Sequence, residues 1–246
     1  MSRLEAWPLP GLPEVRPGDD LAALIAAAAR DGLRPADVLV VAHKVVSKAE
    51  GAIVALADVQ ASLRAEALAA QAGKDPRHVQ VVLDESAEIV RAERGVIIAR
   101  TRHGFVCANA GVDASNAPAP GTLVLLPRDP DASARGLRAA LPGRPPVVIA
   151  DSFGRAWRNG QVEVAIGVAG LRPLEDWRGR RDSAGRELRA TWIAVADQAA
   201  AAADLVRDKD SREPAVVVRG LERHVTEHDG PGARALLRPR DEDLFA

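Results

Sequence analysis

Two carboxylates, Asp113 and Asp151, stand in the surroundings of this chain best suited to chemistry. Asp113 lies in Asn109-Ala-Gly-Val-Asp-Ala-Ser-Asn116, a loop of small polar residues in which Gly111 and the two asparagines tolerate a left-handed backbone. Asp151, followed by Ser152, comes straight after Pro146-Val-Val-Ile-Ala150, a short apolar run of buried-strand type. Acids at strand ends and in tight loops suit hard divalent cations, which want oxygen ligands and keep waters that a phosphate can displace. Each acid also has a plainer role open to it: Asp113 as the cap of a turn, Asp151 as the cap of a helix.

Further charged groups accompany them. His43-Lys-Val-Val-Ser-Lys-Ala-Glu-Gly51 follows an apolar run, and Lys48 in it can meet a phosphate as a point charge, or sit on a solvated helix face. The glycines of a Walker loop are missing ahead of the Lys-Ser pairs. In Asp151-Ser-Phe-Gly-Arg-Ala-Trp-Arg158, Ser152 offers a hydroxyl to a cation held by Asp151, and Arg155 and Arg158 suit bidentate phosphate contacts. The bland alternative is a solvated arginine pair packed on Trp157. His43, His78 and His103 lack metal-ligand spacing. Glu85 and Glu88 lie on a solvated helix face or reach the site; spacing leaves both open. Cys107, in an apolar stretch, reads as a small buried hydrophobe rather than a nucleophile. Carboxylates, a lysine and arginines without a nucleophile suit metal-assisted phosphoryl transfer better than a covalent-enzyme route.

The elements that must position these groups follow from pattern. Asp19-Asp20 caps a helix with the stripe Leu21, Leu24, Ile25 and Ala28, stopped by Gly32. Val38 to Ala42 is a buried strand. Helices run from about Ser62 to Gln71, with Gly73 as the stop, and from Pro76. Gly95 to Arg100 and Phe105 to Cys107 flank a hairpin turn. Strands cover 121–126, 147–150, 162–169 and 215–219, and helices 133–141 and 194–206. The tail over 221–246 is polar and expected to be loosely held. Strands and helices mix without strict alternation, which favours an α+β class, mixed sheets with flanking helices, over a doubly wound sheet.

Composition narrows the functions. The 246 residues are 47% hydrophobic, enough for one large domain or two small subdomains. Lys and Arg number 33 against 34 Asp and Glu, so bulk charge draws the chain to neither nucleic acid nor anionic membrane. Three Phe, four Trp and no Tyr leave few stacking platforms for single strands. One cysteine excludes an internal disulfide and a cysteine-built zinc site, and suits a reducing cytoplasm. The start lacks an apolar signal core, and no stretch is long enough to span a membrane.

Four ordered blocks carry a resemblance: Val45-Val-Ser-Lys-Ala-Glu-Gly51, Asn109 to Asn116, Asp151 to Arg158, and Ala165-Ile-Gly-Val-Ala-Gly170. With them the chain resembles the coenzyme F-420:L-glutamate ligases, or γ-glutamyl ligases, from Gly11 to Gly220. The resemblance implies a single ligase domain over 1–246 with a fold peculiar to the family, in an intertwined homodimer. It implies a GTP-dependent ligase that joins L-glutamate to a carboxylate of the deazaflavin coenzyme precursor and then adds γ-linked glutamates. Two divalent cations, Mg²⁺ or Mn²⁺, are implied, with K⁺ as a monovalent companion. Carried over by position, Asp113, Asp151 and Ser152 are metal ligands. Leu12, Pro13, Glu14, Val15, His43, Lys48 and Asn116 fall where the family touches the nucleotide. Lys48 and Arg155 join the two aspartates as the catalytic set. One departure stands out. Relatives carry a glycine-containing loop before the last strand, whereas Val206-Arg-Asp-Lys-Asp-Ser-Arg-Glu-Pro214 has none, although Lys209 matches the family lysine. Left-handed turns there would cost about 1 kcal/mol per residue. A nucleotide-binding regulator without turnover, and a glutamate ligase for another acid, remain the alternatives.

Overall fold

The computed structural model describes residues 3–243. In chain order its regular elements are β1 (Glu5–Pro8), α1 (Leu21–Ala28), β2 (Val38–Ala42), α2 (His43–Ala49), β3 (Ile53–Ala55), α3 (Leu63–Ala72) and α4 (Pro76–Asp84). There follow β4 (Ser86–Glu93), β5 (Val96–Thr101), β6 (Val106–Ala108), β7 (Thr122–Val124), α5 (Pro130–Ala140), β8 (Val147–Arg155) and β9 (Arg158–Ala169). The last are β10 (Leu174–Asp176), β11 (Trp192–Ala194), α6 (Val195–Asp204) and β12 (Ala215–Arg219). The class is α+β, as the irregular mixing of patterns predicts.

A five-stranded sheet in the order β1-β12-β2-β8-β9 forms the centre, with β2 and β8 parallel and every other neighbouring pair antiparallel. Its strands read as near-continuous aliphatic runs because both faces are covered. Leu39, Val41, Val147, Ile149 and Val217 point to one face and pack with Leu21 and Ile25 of α1, Val46 of α2 and Leu137 of α5. Val38, Val40, Val148, Val216 and Val218 point to the other and meet Ala196, Ala199, Ala200 and Ala203 of α6. Period-two alternation thus sends neighbouring residues of one strand to opposite sides of the molecule, which governs the site below. A third apolar cluster joins α3 and α4 to β5 and β7 through Val79, Val82, Ile97, Ala99 and Leu123.

Several boundaries differ from the pattern. Helix α5 starts at Pro130 rather than Ser133, because Asp129 caps it by accepting the Ala132 N–H and a proline at the first position has no N–H to satisfy. The strand expected over 121–126 covers only 122–124. Residues 86–93 form β4, and Glu88 lies on it beside Arg100 and Arg240, so it is neither on a helix nor in the site. Strands β8 and β9 extend past 150 and begin before 162, meeting in one long hairpin; Asp151 lies within a strand, not at a helix start. Gly167 permits α5 to rest on this hairpin, since a Cβ there would lie 2.2 Å from the Pro130 carbonyl oxygen. The tail over 221–243 is packed rather than loose. Buried Arg138 donates to the Thr226 and Glu227 carbonyls and pairs with Asp229 at 2.7 Å, so the tail supplies acceptors that this guanidinium needs.

Buried Asp37, just before β2, binds Arg219 of β12 through both carboxylate oxygens, at 2.7 and 2.9 Å, and accepts the Arg34 N–H. Burial opposes ionisation of Asp37, but the Arg219 hydrogen bonds and the Arg34 N–H together hold its carboxyl below the ordinary carboxylate range. A depressed folded-state value means that the stabilisation is complete above the unfolded value of about 4 and is lost as pH falls through the folded value. Asp37→Asn should therefore destabilise the chain at pH 7, by an amount that shrinks as pH falls from about 4 and vanishes once it is below the folded-state value, measured as the difference in denaturation midpoint across pH. Among the described residues no helix is long and apolar enough to cross a membrane.

Candidate functional site

Helix α2 starts directly at the end of β2, with no intervening loop, and its side chains reach three distant segments. His43 is buried; its Nε2 lies 3.2 Å from Asp151 Oδ1 on β8, and its Nδ1 faces Ser47 Oγ at 3.5 Å. Lys44, the next residue, donates from Nζ to Asp113 Oδ2 at 2.6 Å and to Ser115. One turn further, Lys48 is buried and ion-paired with Glu14. Consecutive residues diverge by about 100° around a helix. The first turn of α2 therefore holds one aspartate on each of two adjacent flanks, bringing together residues 38 positions apart in the chain. Lys48 is not the solvated helix lysine of the bland alternative. Lys44, which pattern alone did not single out, is the partner of Asp113.

The backbone of 109–111 explains how Asp113 is delivered. Asn109, Ala110 and Gly111 have φ of 52°, 53° and 74°, and Asn116 has 54°. Three left-handed residues in a row reverse the chain between buried Cys107 and Asp113. The asparagines and glycine bear this at little cost, and Ala110 at about 1 kcal/mol. Gly111 is further constrained by packing: a Cβ would lie 2.6 Å from Leu126 Cγ. Asp113 is then pinned to Val124 by two backbone hydrogen bonds of 2.8 and 3.0 Å. Its carboxylate caps the next turn as well, accepting the Ser115 N–H at 2.7 Å and the Ser115 hydroxyl at 2.8 Å. Burial raises its pKa, but the Lys44 hydrogen bond and the Ser115 N–H outweigh that and hold the carboxyl below the ordinary range. Asp113 is an anion wrapped around a cation.

Strand alternation splits the next pair. Asp151 faces α2, while Ser152 points to the α6 side and donates to Glu163 Oε1 at 2.8 Å. Ser152 Oγ therefore does not join the Asp151 carboxylate, which takes only the Ser152 backbone N–H, at 2.8 Å. Glu163, on β9 directly opposite Ser152, is buried, with Arg207 at 2.8 Å and Lys209 at 3.4 Å. Lys209 also donates to Ser152 Oγ and Asp204. Sequence reasoning missed Glu163 and Arg207; a carboxylate inside the aliphatic alternation of β9 was the available signal. The glycine-free 206–214 loop is tied beneath this hairpin and needs one left-handed residue, Arg212, at φ 59°. Arg155 is exposed at the hairpin tip, where it donates to the Asn159 carbonyl. Four strand residues, about 13 Å, hold it away from Asp151.

The remaining expected nucleotide contacts surround the same helix. Val15 is buried in the core, Leu12 packs against it, and Pro13 and Glu14 border a shallow hollow of about 500 Å³. Asn116 is exposed beside Ser115. Cys107 is buried, and burial together with the Asp151 charge pushes its thiol up to about 12, which leaves no thiolate for nucleophilic attack. Strand β6 packs against β8, which carries Asp151. Among the described residues no three His, Cys, Asp or Glu side chains form a metal cage. Asp113 and Asp151 supply hard carboxylate oxygens of the type divalent cations take, with Lys44 now occupying one Asp113 oxygen, from which a cation would have to displace it; Ser152 Oγ lies outside that set.

The sequence pattern of the F420-0:gamma-glutamyl ligase family matches residues 11–220. Coenzyme F420:L-glutamate ligase of Methanopyrus kandleri is 49% identical over 248 residues, covering 98% of this chain and 97% of that protein. The protein of the same name from Methanothermobacter thermautotrophicus is 47% identical, covering 96% of each chain. That from Halorubrum lacusprofundi is 45% identical, covering 96% of this chain and 98% of that protein. The chain belongs to the F420-0:gamma-glutamyl ligase family.

Proposed function

We propose that this chain is a GTP-dependent acid–amino-acid ligase that adds L-glutamate to the deazaflavin coenzyme F-420 precursor and then extends it through γ-linkages. One observation carries the reading: His43 and Lys44, consecutive in α2, hold Asp151 and Asp113 respectively, in a chain alike over nearly its full length to proteins named for this reaction.

A carboxylate resists attack by an amine because it has no good leaving group. In the proposed reaction an acceptor carboxylate oxygen attacks the γ-phosphorus of GTP, the bond to the departing GDP breaks, and an acyl phosphate forms. The amine of glutamate, after losing a proton, attacks the acyl carbon, and phosphate leaves. Asp113 and Asp151 would hold Mg²⁺ or Mn²⁺, two per subunit, with K⁺ nearby; when bound, these ions offset the charge of the triphosphate. This chain's own residues do the rest. Lys44 and His43 fix the two carboxylates, and Lys48 presents an ammonium beside Glu14 in the segment from Leu12 to Val15 proposed to meet the nucleotide, with Asn116 at its edge. A homodimer in the cytoplasm completes the proposal.

Purified protein incubated with the deazaflavin precursor, GTP, Mn²⁺ and L-glutamate should yield product heavier by one or more glutamyl units, read by mass spectrometry, with one GDP formed per unit. GTP binding without turnover would leave the regulator in its place, and glutamylation of another acid alone would redirect the substrate.

A further inference from the structure

A cavity of about 770 Å³ opens at the opposite end of α2 from the two aspartates, a size usual for small-molecule sites. Its inner wall is aromatic. His103 stacks on buried Phe105 with ring centroids 6.0 Å apart, and Phe105 meets Phe153 edge-on at 6.2 Å. Phe153 backs Phe105 from behind rather than lining the cavity, and it lies two residues beyond Asp151 on β8, about 7 Å along the strand.

The charges around the cavity are lopsided in their pairing. Arg102, Arg128 and Arg234 line it, and none of the three guanidiniums has a side-chain or backbone acceptor among the described residues. Four acids line it too, but three are engaged. Glu50 accepts the Ser133 hydroxyl, Asp129 caps α5, and Asp131 accepts the N–H groups of Val168 and Ala233. The carboxylate of Glu85 is the exception: it has no hydrogen-bond or ion-pair partner among the described residues, and only the Glu85 backbone carbonyl is tied to Arg102, accepting its backbone N–H at 3.3 Å. Three unpaired guanidiniums and one unpaired carboxylate complement a small zwitterion carrying two carboxylates and one ammonium. A nucleotide, with no cation to offer Glu85, matches less well.

Resting on the ligase reading, we propose that this cavity is the subsite for the incoming amino dicarboxylate, free L-glutamate. Arg128 and Arg234, with Arg102, take its carboxylates, and Glu85 takes its ammonium. The guanidinium fork gives directional, bidentate carboxylate contacts that a lysine does not reproduce.

The test compares Arg128→Ala, Arg234→Ala and Glu85→Gln with the parent in the glutamylation assay. Each should raise the KM for glutamate about tenfold or more, the loss expected for one charge-assisted hydrogen bond, and leave the KM for GTP and for the deazaflavin unchanged. Arg128→Lys should recover only part. All three sites are at the surface or partly so, and melting curves establish that the variants are folded. An unchanged glutamate KM, or a rise confined to GTP or the deazaflavin, overturns the subsite while leaving the ligase in place. If the parent forms no product, calorimetry with L-glutamate alone decides: binding that Arg128→Ala abolishes keeps the subsite and removes the ligase, and no binding removes the subsite.

Discussion

Asp151→Asn should lower kcat for glutamate addition by about 10² to 10³, the scale of losing one preorganised electrostatic group, while the melting temperature stays within a few degrees of the parent. The substitution keeps the size of the side chain and its capacity to accept from the Ser152 N–H and from His43. It removes the negative charge, which is what a divalent cation beside a triphosphate requires. Asp113→Asn should act alike on kcat, and also release Lys44, which now spends its ammonium on that carboxylate. Steady-state kinetics, paired with Mn²⁺ binding followed by electron paramagnetic resonance, check both variants. Loss of rate with unchanged Mn²⁺ affinity would move the cation elsewhere, and near-parental turnover in Asp151→Asn would remove the metal assignment.

The second large effect concerns stability. Arg207→Ala should lower the free energy of unfolding by about 3–5 kcal/mol, because it leaves the Glu163 carboxylate buried with only the more distant Lys209 as a cationic partner. The side chains of Arg207 and Glu163 are only 7% and 5% exposed, so water cannot replace the lost contact. Removing both charges should cost far less than removing one, since an apolar pair of similar volume often substitutes for a buried ion pair. Glu163→Gln combined with Arg207→Met removes both charges while keeping an acceptor for the Ser152 hydroxyl, and is expected to recover much of the stability, measured by urea denaturation. A single Arg207→Ala variant as stable as the parent would mean that the hairpin tolerates an unpaired buried acid. Ser152 and Lys209 share the same network, so their effects should couple with those of Arg207 rather than add.

Much of the fold was legible because local chemistry decided it. Asp20 caps α1 through its side chain and Gly73 ends α3 at φ 62°, as residue types alone predict, and the starts expected near Ser62 and Pro76 hold, with Ser62 and Asp75 as the caps. The aliphatic runs at Val38, Val147 and Ala215 are central strands, as their continuity predicts. Misreadings fell where nonlocal pairing overruled local cues. Asp151 looks like a strand-end acid until β9 pairs with it and carries the strand five residues further. The polar tail looks loose until Arg138, from the middle of the chain, is seen to need its carbonyls.

By itself the sequence determined the α+β class, the family, the left-handed turn that carries Asp113 and the inertness of Cys107. Each depends on residue types a few positions apart, or on ordered motifs, and both are written along the chain. Tertiary structure alone decided that His43 and Lys44 gather the two aspartates around one helix, that Ser152 turns away from Asp151, and that Glu163 lies buried beside Arg207. Those facts follow from which strand pairs with which, and from a pleat that sends adjacent side chains to opposite faces; neither is encoded at any single position.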